Sequence, residues 1–168
     1  YQVDGAIVQP QPLQEGGIPL WIAGGGEKVT LKIAAQYATH TNFDGSPEGF
    51  AHKSAILRSH CEELGTDFDA ITHSSNYNVA IGSTQAEVED RLRVLSERLL
   101  PHLGEDKTRD AVEGYRSSLA FGTPQQIVDK LGAMHEAGMY YGIFYFHHAA
   151  YDTSGIELFE REVLPHLQ

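Results

Sequence analysis

Ile18-Pro-Leu-Trp-Ile-Ala-Gly-Gly-Gly-Glu-Lys-Val-Thr-Leu-Lys-Ile-Ala-Ala-Gln-Tyr-Ala38 sets the frame for the whole chain. A short apolar run, three glycines and then a helical pattern is how a buried parallel strand hands over to a helix. The spacing predicts a strand over residues 18–23. It then predicts a helix that buries Val29, Ile33 and Tyr37 along one face, with Leu31, Ala34 and Ala38 widening it. Tyr37 reads as core and not as a ring that stacks on a cofactor. Gly24, Gly25 and Gly26 have no β-carbon, so the chain can take φ > 0 and a ligand can approach the backbone closely. The amides that follow open a helix, where unpaired N–H groups and the macrodipole favour an anion. A phosphate suits that place, with a hydroxyl from Thr30 and positive charge from Lys28. The spacing is neither a Walker loop nor Gly-x-Gly-x-x-Gly, because Val29 stands where the last glycine would be. A tight βα turn without a ligand is the competing reading.

Working outward, residues 1–17, with Pro10, Pro12, Gly16 and Gly17, read as an irregular lead-in that carries little core. Beyond the first helix, residues 39–43 form a short strand ended by Asp44-Gly45-Ser46-Pro47. There Ser46 caps a helix with Pro47 at its first position. That helix runs to about residue 64 on the stripe Phe50, Ser54, Leu57, Cys61 and Leu64, which makes Cys61 an inert core thiol. Residues 70–81 form a third strand with Thr72, Ser74, Asn76 and Asn78 on one face and His73, Ser75, Tyr77 and Val79 on the other. A strand polar on one side needs water or a site there.

Thr84 caps a long helix on Val88, Leu92, Leu95 and Leu99, with Glu87 completing a capping box, and an extra helix follows near 105–119. Thr123-Pro124 opens the next helix, on Ile127, Leu131 and Met134, and Gly138 stops it. The apolar strand 141–146 ends in His147-His148, and a last helix, 154 to about 164, carries Ile156, Phe159 and Val163. The whole of 1–168 is expected to be a single α/β domain of four parallel strand–helix units with right-handed crossovers. Four units make either a small doubly wound sheet or half of an eight-stranded βα barrel, which typically takes about 250 residues. In both, ligands collect at the carboxyl ends of the strands, here Gly24, Gly25, Gly26, Asn42, Asn78, His147 and His148.

Composition narrows the partners. Twelve Lys and Arg against 23 Asp and Glu give a net charge of −11, which repels phosphate backbones and anionic membranes. Neither nucleic acid nor membrane is an expected partner. The single cysteine, Cys61, excludes an intrachain disulfide and fits a reducing, cytoplasmic setting. No apolar run approaches a membrane span and no basic-then-apolar leader opens the chain. It begins at Tyr1 and not Met, so sequence upstream is expected to be missing. His40, His147 and His148 could be weighed as a metal site, but no acidic ligand stands at an obvious spacing, and no metal is expected. His52, His60, His102, His135 and His166 fall on helices as surface or satisfied residues.

Five segments together carry a family resemblance. The central motif Ile18-Pro-Leu-Trp-Ile-Ala-Gly-Gly-Gly-Glu-Lys-Val-Thr-Leu31, preceded by Gln9-Pro-Gln-Pro-Leu-Gln14, resembles that of the luciferase-like monooxygenase superfamily in its coenzyme F420-dependent oxidoreductase branch. Thr41-Asn-Phe-Asp-Gly-Ser-Pro-Glu-Gly-Phe50, His60-Cys61, Gly122-Thr-Pro-Gln-Gln126 and Phe159-Glu-Arg-Glu-Val-Leu-Pro165 are similar to the same group. The resemblance implies the C-terminal half of a (βα)8, TIM-like barrel that binds F420, or alternatively FMN, at the carboxyl face of its strands. The cofactor phosphate would lie against the amides of Gly24, Gly25 and Gly26 and the hydroxyl of Thr30. Asn42, Asn78, His147 and His148 would line the pocket of a small organic substrate.

The implied reaction is hydride transfer to or from that substrate, or oxygen insertion with a reduced flavin. No catalytic residue is named, because the family's ring-holding and acid/base residues fall in the N-terminal half. A half barrel would leave two parallel edge strands and an open apolar inner face, rarely left to water. The expected partner is therefore the missing N-terminal half or a second copy in a homodimer. The alternative function is a non-catalytic half barrel that keeps the fold.

Overall fold

The computed structural model describes residues 2–7, 9–43 and 45–167; the turn assigned through Asp44 therefore falls partly outside the described residues. The described residues of the lead-in are largely exposed and carry no helix or strand up to Leu20. β1 (Trp21–Ala23) passes through the glycines into α1 (Thr30–Tyr37), and β2 (His40–Asn42) leads to α2 (Pro47–Leu64). β3 (Thr72–Ile81) is followed by α3 (Gln85–Arg116), β4 (Phe121–Gly122), α4 (Pro124–Glu136), β5 (Tyr141–Phe146) and α5 (Ser154–Glu162), with a 3-10 turn at Leu164–His166. The first strand is thus shorter than its apolar run: Ile18 and Leu20 are exposed ahead of it.

Every strand pair is parallel, as alternating strands and helices dictate. β2 sits between β1 and β3, and β5 flanks β3, while β4 adds only a short pairing at the end of β3. Ala23 pairs with Asn42, Asn42 with Ser74, and Ser74 with Tyr141, the first residue of β5. The carboxyl ends therefore step forward across the sheet, a stagger of the kind that strand tilt builds into a barrel.

Alternation sorts the side chains onto two faces. On the helix side Tyr77 stacks on Phe144 at 5.8 Å, and Phe144 and Phe146 both meet Phe159 of α5, at 4.8 and 5.5 Å. Phe50 and Leu57 of α2, with Ile127, Leu131 and Met134 of α4, are fully buried in the same cluster. Cys61 is buried there as a free thiol, as its stripe predicts, but Leu64 at the end of that stripe is exposed. The opposite face, with Trp21, Tyr141 and Tyr145, is open to solvent.

Two assignments change. Val29, Ile33 and Tyr37 of the α1 region are 65%, 43% and 58% exposed, whereas Leu31, Ala34 and Ala35 are buried. The helix turns its small-residue stripe inward, because alanines let its backbone approach the sheet and α2 closely, and the bulky stripe is left outside. The long helix and the extra helix are joined end to end in α3, which breaks at Gly104 (φ 75°, ψ 174°). The second arm returns Val112 and Tyr115 onto Ala80, Leu92 and Leu95 as a small separate core.

The cap of α3 also departs slightly from a closed box. Thr84 Oγ accepts the Glu87 N–H at 3.2 Å, but the Glu87 carboxylate accepts from the N–H of Ser83, not of Thr84, at 2.7 Å. Thr84→Ala is expected to cost about 1 kcal/mol in urea unfolding. A loss indistinguishable from zero would show that the Glu87–Ser83 bond alone holds this end.

Candidate functional site

The glycine turn is fastened at both ends. The Gly24 N–H donates to the Asn42 carbonyl at 2.8 Å, and the Leu31 N–H donates to the Gly26 carbonyl at 3.0 Å, which draws the start of α1 onto the turn. Gly24 sits at φ +114°, where any L side chain is strained. A β-carbon on Gly26 would lie 2.8 Å from the Thr30 hydroxyl oxygen, so the hydroxyl occupies the space a side chain would take. The amides of Gly25 and Gly26 have no hydrogen-bond partner among the described residues. Two unpartnered N–H groups and one hydroxyl thus lie close together just ahead of α1.

Helix α2 closes one side of it. Lys53 Nζ donates to Glu27 Oε1 at 2.7 Å and His52 Nε2 to the same oxygen at 3.1 Å, while His60 Nε2 donates to the Glu27 carbonyl at 2.8 Å. The hydrogen bond from Lys53, and then that from His52, hold the Glu27 carboxyl below its usual range. The Lys53 stem also runs beside Gly25, within 3.3 Å of where a β-carbon would stand. Glu27 belongs to the turn in the sequence, but Lys53, His52 and His60 did not stand out as its partners. Nothing local could have found them, since Lys53 and Glu27 are 26 residues apart.

Asn42 joins the same place from β2. Its Nδ2 donates to Ser74 Oγ at 3.0 Å, and Ser74 Oγ donates to the Thr41 carbonyl at 2.9 Å. Asn76 and Asn78 follow on the open face of β3, both exposed. On that face Trp21 stacks on His40 at 4.5 Å and meets Tyr141 edge-on at 5.4 Å. This aromatic layer, too, was not legible: three rings from three strands meet only through the register.

His147 and His148 lie elsewhere. β5 ends at Phe146, and the turn after it carries both rings against α3. The His147 ring meets Tyr115 edge-on at 4.6 Å and lies 3.8 Å from the His148 ring. His148 is buried and lines a groove of about 620 Å³ with Arg91, Arg98 and Asp152, between α3 and the start of α5. The structure thus brings Gly24, Gly25, Gly26, Thr30 and Asn42 together, places Asn78 further along the open face, and sets the histidine pair against α3. Among the described residues no three His, Cys, Asp or Glu side chains gather as metal ligands.

Burial, and then the neighbouring His148, push His147 down from 6.5 to about 4; the Val79 and Arg91 backbones near it offset part of that. Burial, and then Arg91, lower His148 as well. His147 is neutral in the fold, so between about pH 4 and 6.5 the unfolded chain binds a proton that the folded chain does not. Stability therefore rises with pH through that window and its His147 share is fully present above it. The urea midpoint is expected to fall as pH drops from about 6.5 to 5, more steeply than in His147→Gln. Equal slopes in the two proteins would remove His147 as the cause.

A family model described as luciferase-like monooxygenase matches residues 1–141. Among solved structures, an F420-dependent secondary alcohol dehydrogenase in complex with an F420-acetone adduct is 17% identical, at TM-score 0.73, with 100% of this chain and 54% of that chain covered. The coenzyme F420-dependent tetrahydromethanopterin reductase of Methanopyrus kandleri is 18% identical at TM-score 0.65, over 90% of this chain and 51% of that one. A long-chain alkane monooxygenase is 17% identical at TM-score 0.64, over 88% and 40%. The chain spans about half the length of the structures it resembles. No curated sequence matches it.

Proposed function

Because the chain belongs to the luciferase-like monooxygenase family, we propose that it is the phosphate-holding half of a (βα)8 oxidoreductase that uses coenzyme F420, with FMN as the alternative. The observation that carries this reading is the cradle: two partnerless glycine amides beside a hydroxyl that fills the place of a β-carbon. The two amides and the hydroxyl are a donor set that suits a phosphate.

In this reading the N–H groups of Gly25 and Gly26 and the Thr30 hydroxyl hold the phosphate oxygens. Lys53 stands at the rim with its charge paired to Glu27. F420, when bound, supplies hydride transfer, and a reduced flavin would supply oxygen activation instead. Asn42 holds the turn through its carbonyl, and Asn78 offers an amide donor and acceptor to a small organic substrate on the open face. His147 and His148, packed against α3 and the groove lined by Arg91 and Asp152, stand away from that face and are given no part in the pocket. Four further strands are needed to enclose the face and exclude water from it. The structural neighbours named for F420 support the cofactor class.

No helix of the described residues is long and apolar enough to cross a membrane, and a cytoplasmic setting goes with the single buried thiol. The free strand edges favour one other reading, a scaffold half that assembles without turning over substrate. Native mass spectrometry of the folded chain with F420 and FMN both offered tests the proposal. A bound cofactor that excess inorganic phosphate displaces is expected; a folded, closed assembly that takes neither would leave only the scaffold.

A further inference from the structure

At the glycine turn, α2 grips the backbone of Glu27 as well as its side chain. His60 Nε2 lies 2.8 Å from the Glu27 carbonyl oxygen. A carbonyl oxygen can only accept, so Nε2 carries the proton and donates it. This is the one hydrogen bond to that oxygen among the described residues, because the Leu31 N–H passes it over and donates to the Gly26 carbonyl. The bond is also the only one the ring makes there: His60 Nδ1 is buried without a hydrogen-bond partner, and the Glu63 carboxylate stands 3.8 Å away. Lys53 and His60 are about two helical turns apart and so share one face of α2, the face turned to Glu27.

A trans peptide sets its N–H antiparallel to its C=O. With the Glu27 carbonyl drawn toward α2, the Lys28 N–H points away from α2, and it too has no partner among the described residues. Resting on the phosphate reading above, we propose that His60 is a positioning residue. It locks the Glu27–Lys28 peptide so that the Lys28 N–H joins those of Gly25 and Gly26 as a third donor to the phosphate. Released from His60, that peptide can turn over and set a carbonyl oxygen where the N–H stood. One lost contact then exchanges a donor for an acceptor, and the partial negative charge of the oxygen repels an anion.

The Glu27 carboxylate is held separately, by Lys53 at 2.7 Å and His52 at 3.1 Å. The side chain is therefore tied back with or without His60, and the peptide is what His60 decides. A ring that merely joined α1 to α2 would matter equally to any ligand. A ring that aims an amide matters only to a phosphate.

The folded chain is titrated with FMN and with riboflavin, which lacks the phosphate, as the unaltered protein, His60→Ala and His60→Gln. The unaltered chain is expected to prefer FMN. His60→Ala is expected to lower FMN affinity about tenfold and to leave riboflavin affinity where it was. His60→Gln, whose side-chain amide donates from a similar reach, is expected to restore most of the loss. An alanine variant that weakens both ligands alike, or that keeps the full preference for FMN, overturns the proposal, as does a glutamine variant no better than alanine. An unaltered chain with no preference for FMN takes the phosphate away from the turn, and the proposed function falls with it. Should His60→Ala fail to fold, amide chemical shifts of the unaltered chain titrated with inorganic phosphate decide. The Lys28 amide is expected to move together with those of Gly25 and Gly26; if the glycines move and Lys28 does not, His60 has no part in the site although the phosphate reading stands.

Discussion

Replacing Gly26 with valine is expected to weaken binding of F420 or FMN by about 100-fold, roughly two lost charge-assisted hydrogen bonds. The new β-carbon would stand 2.8 Å from the Thr30 hydroxyl oxygen and 3.4 Å from the Thr30 β-carbon. The Thr30 hydroxyl must rotate away about χ1 to make room, and the Gly26 amide is screened by the branched side chain. Gly26 is exposed and its φ needs no glycine, so folding stability should change little. Gly25→Ala makes the internal control: its β-carbon meets only the flexible Lys53 stem, at 3.3 Å, and a loss of less than about tenfold is expected. Fluorescence titration of both variants decides the matter. Unchanged affinity in the valine variant would move the phosphate away from this turn.

Phe50→Ala is expected to cost about 3–5 kcal/mol in chemical denaturation, a large part of the 5–15 kcal/mol that holds a typical domain. Phe50 is fully buried on α2 and its ring lies 4.9 Å from that of Phe43, just past the end of β2. Truncation would leave a cavity at the place where α2 packs onto the sheet, and the rigid strand behind it cannot collapse to fill the gap. The same helix positions Lys53 and His60 against the glycine turn, so cofactor affinity should fall together with stability. Leu64→Ala, at the exposed end of the helix, should cost under about 1 kcal/mol. A small loss at Phe50 would mean that α2 rests on the sheet without anchoring it.

The strand–helix order was readable because each signal is local. Ser46 accepts the Gly49 N–H at 3.2 Å with Pro47 at the first helical position, as that dipeptide predicts. β5 occupies the whole apolar run 141–146. The first helix shows where local reading stops. Apolar residues at 29, 33 and 37 and at 31, 34, 35 and 38 describe two stripes on one helix, and hydrophobic periodicity alone cannot choose between them. Packing chose the alanine stripe, since small side chains allow the closer approach.

The sequence by itself determined the parallel α/β class, the helix boundaries set by caps and prolines, and the glycine turn after the first strand, all properties of residues adjacent along the chain. The family assignment rests on that order as well. Only the tertiary structure decided which stripe of α1 is buried, that Glu27 is held from α2 by Lys53, His52 and His60, that Trp21, His40 and Tyr141 share a layer, and that His147 and His148 pack against α3. Each of these depends on the register and crossing of segments tens of residues apart. Those are fixed when the sheet forms and its helices pack, and no local pattern encodes them.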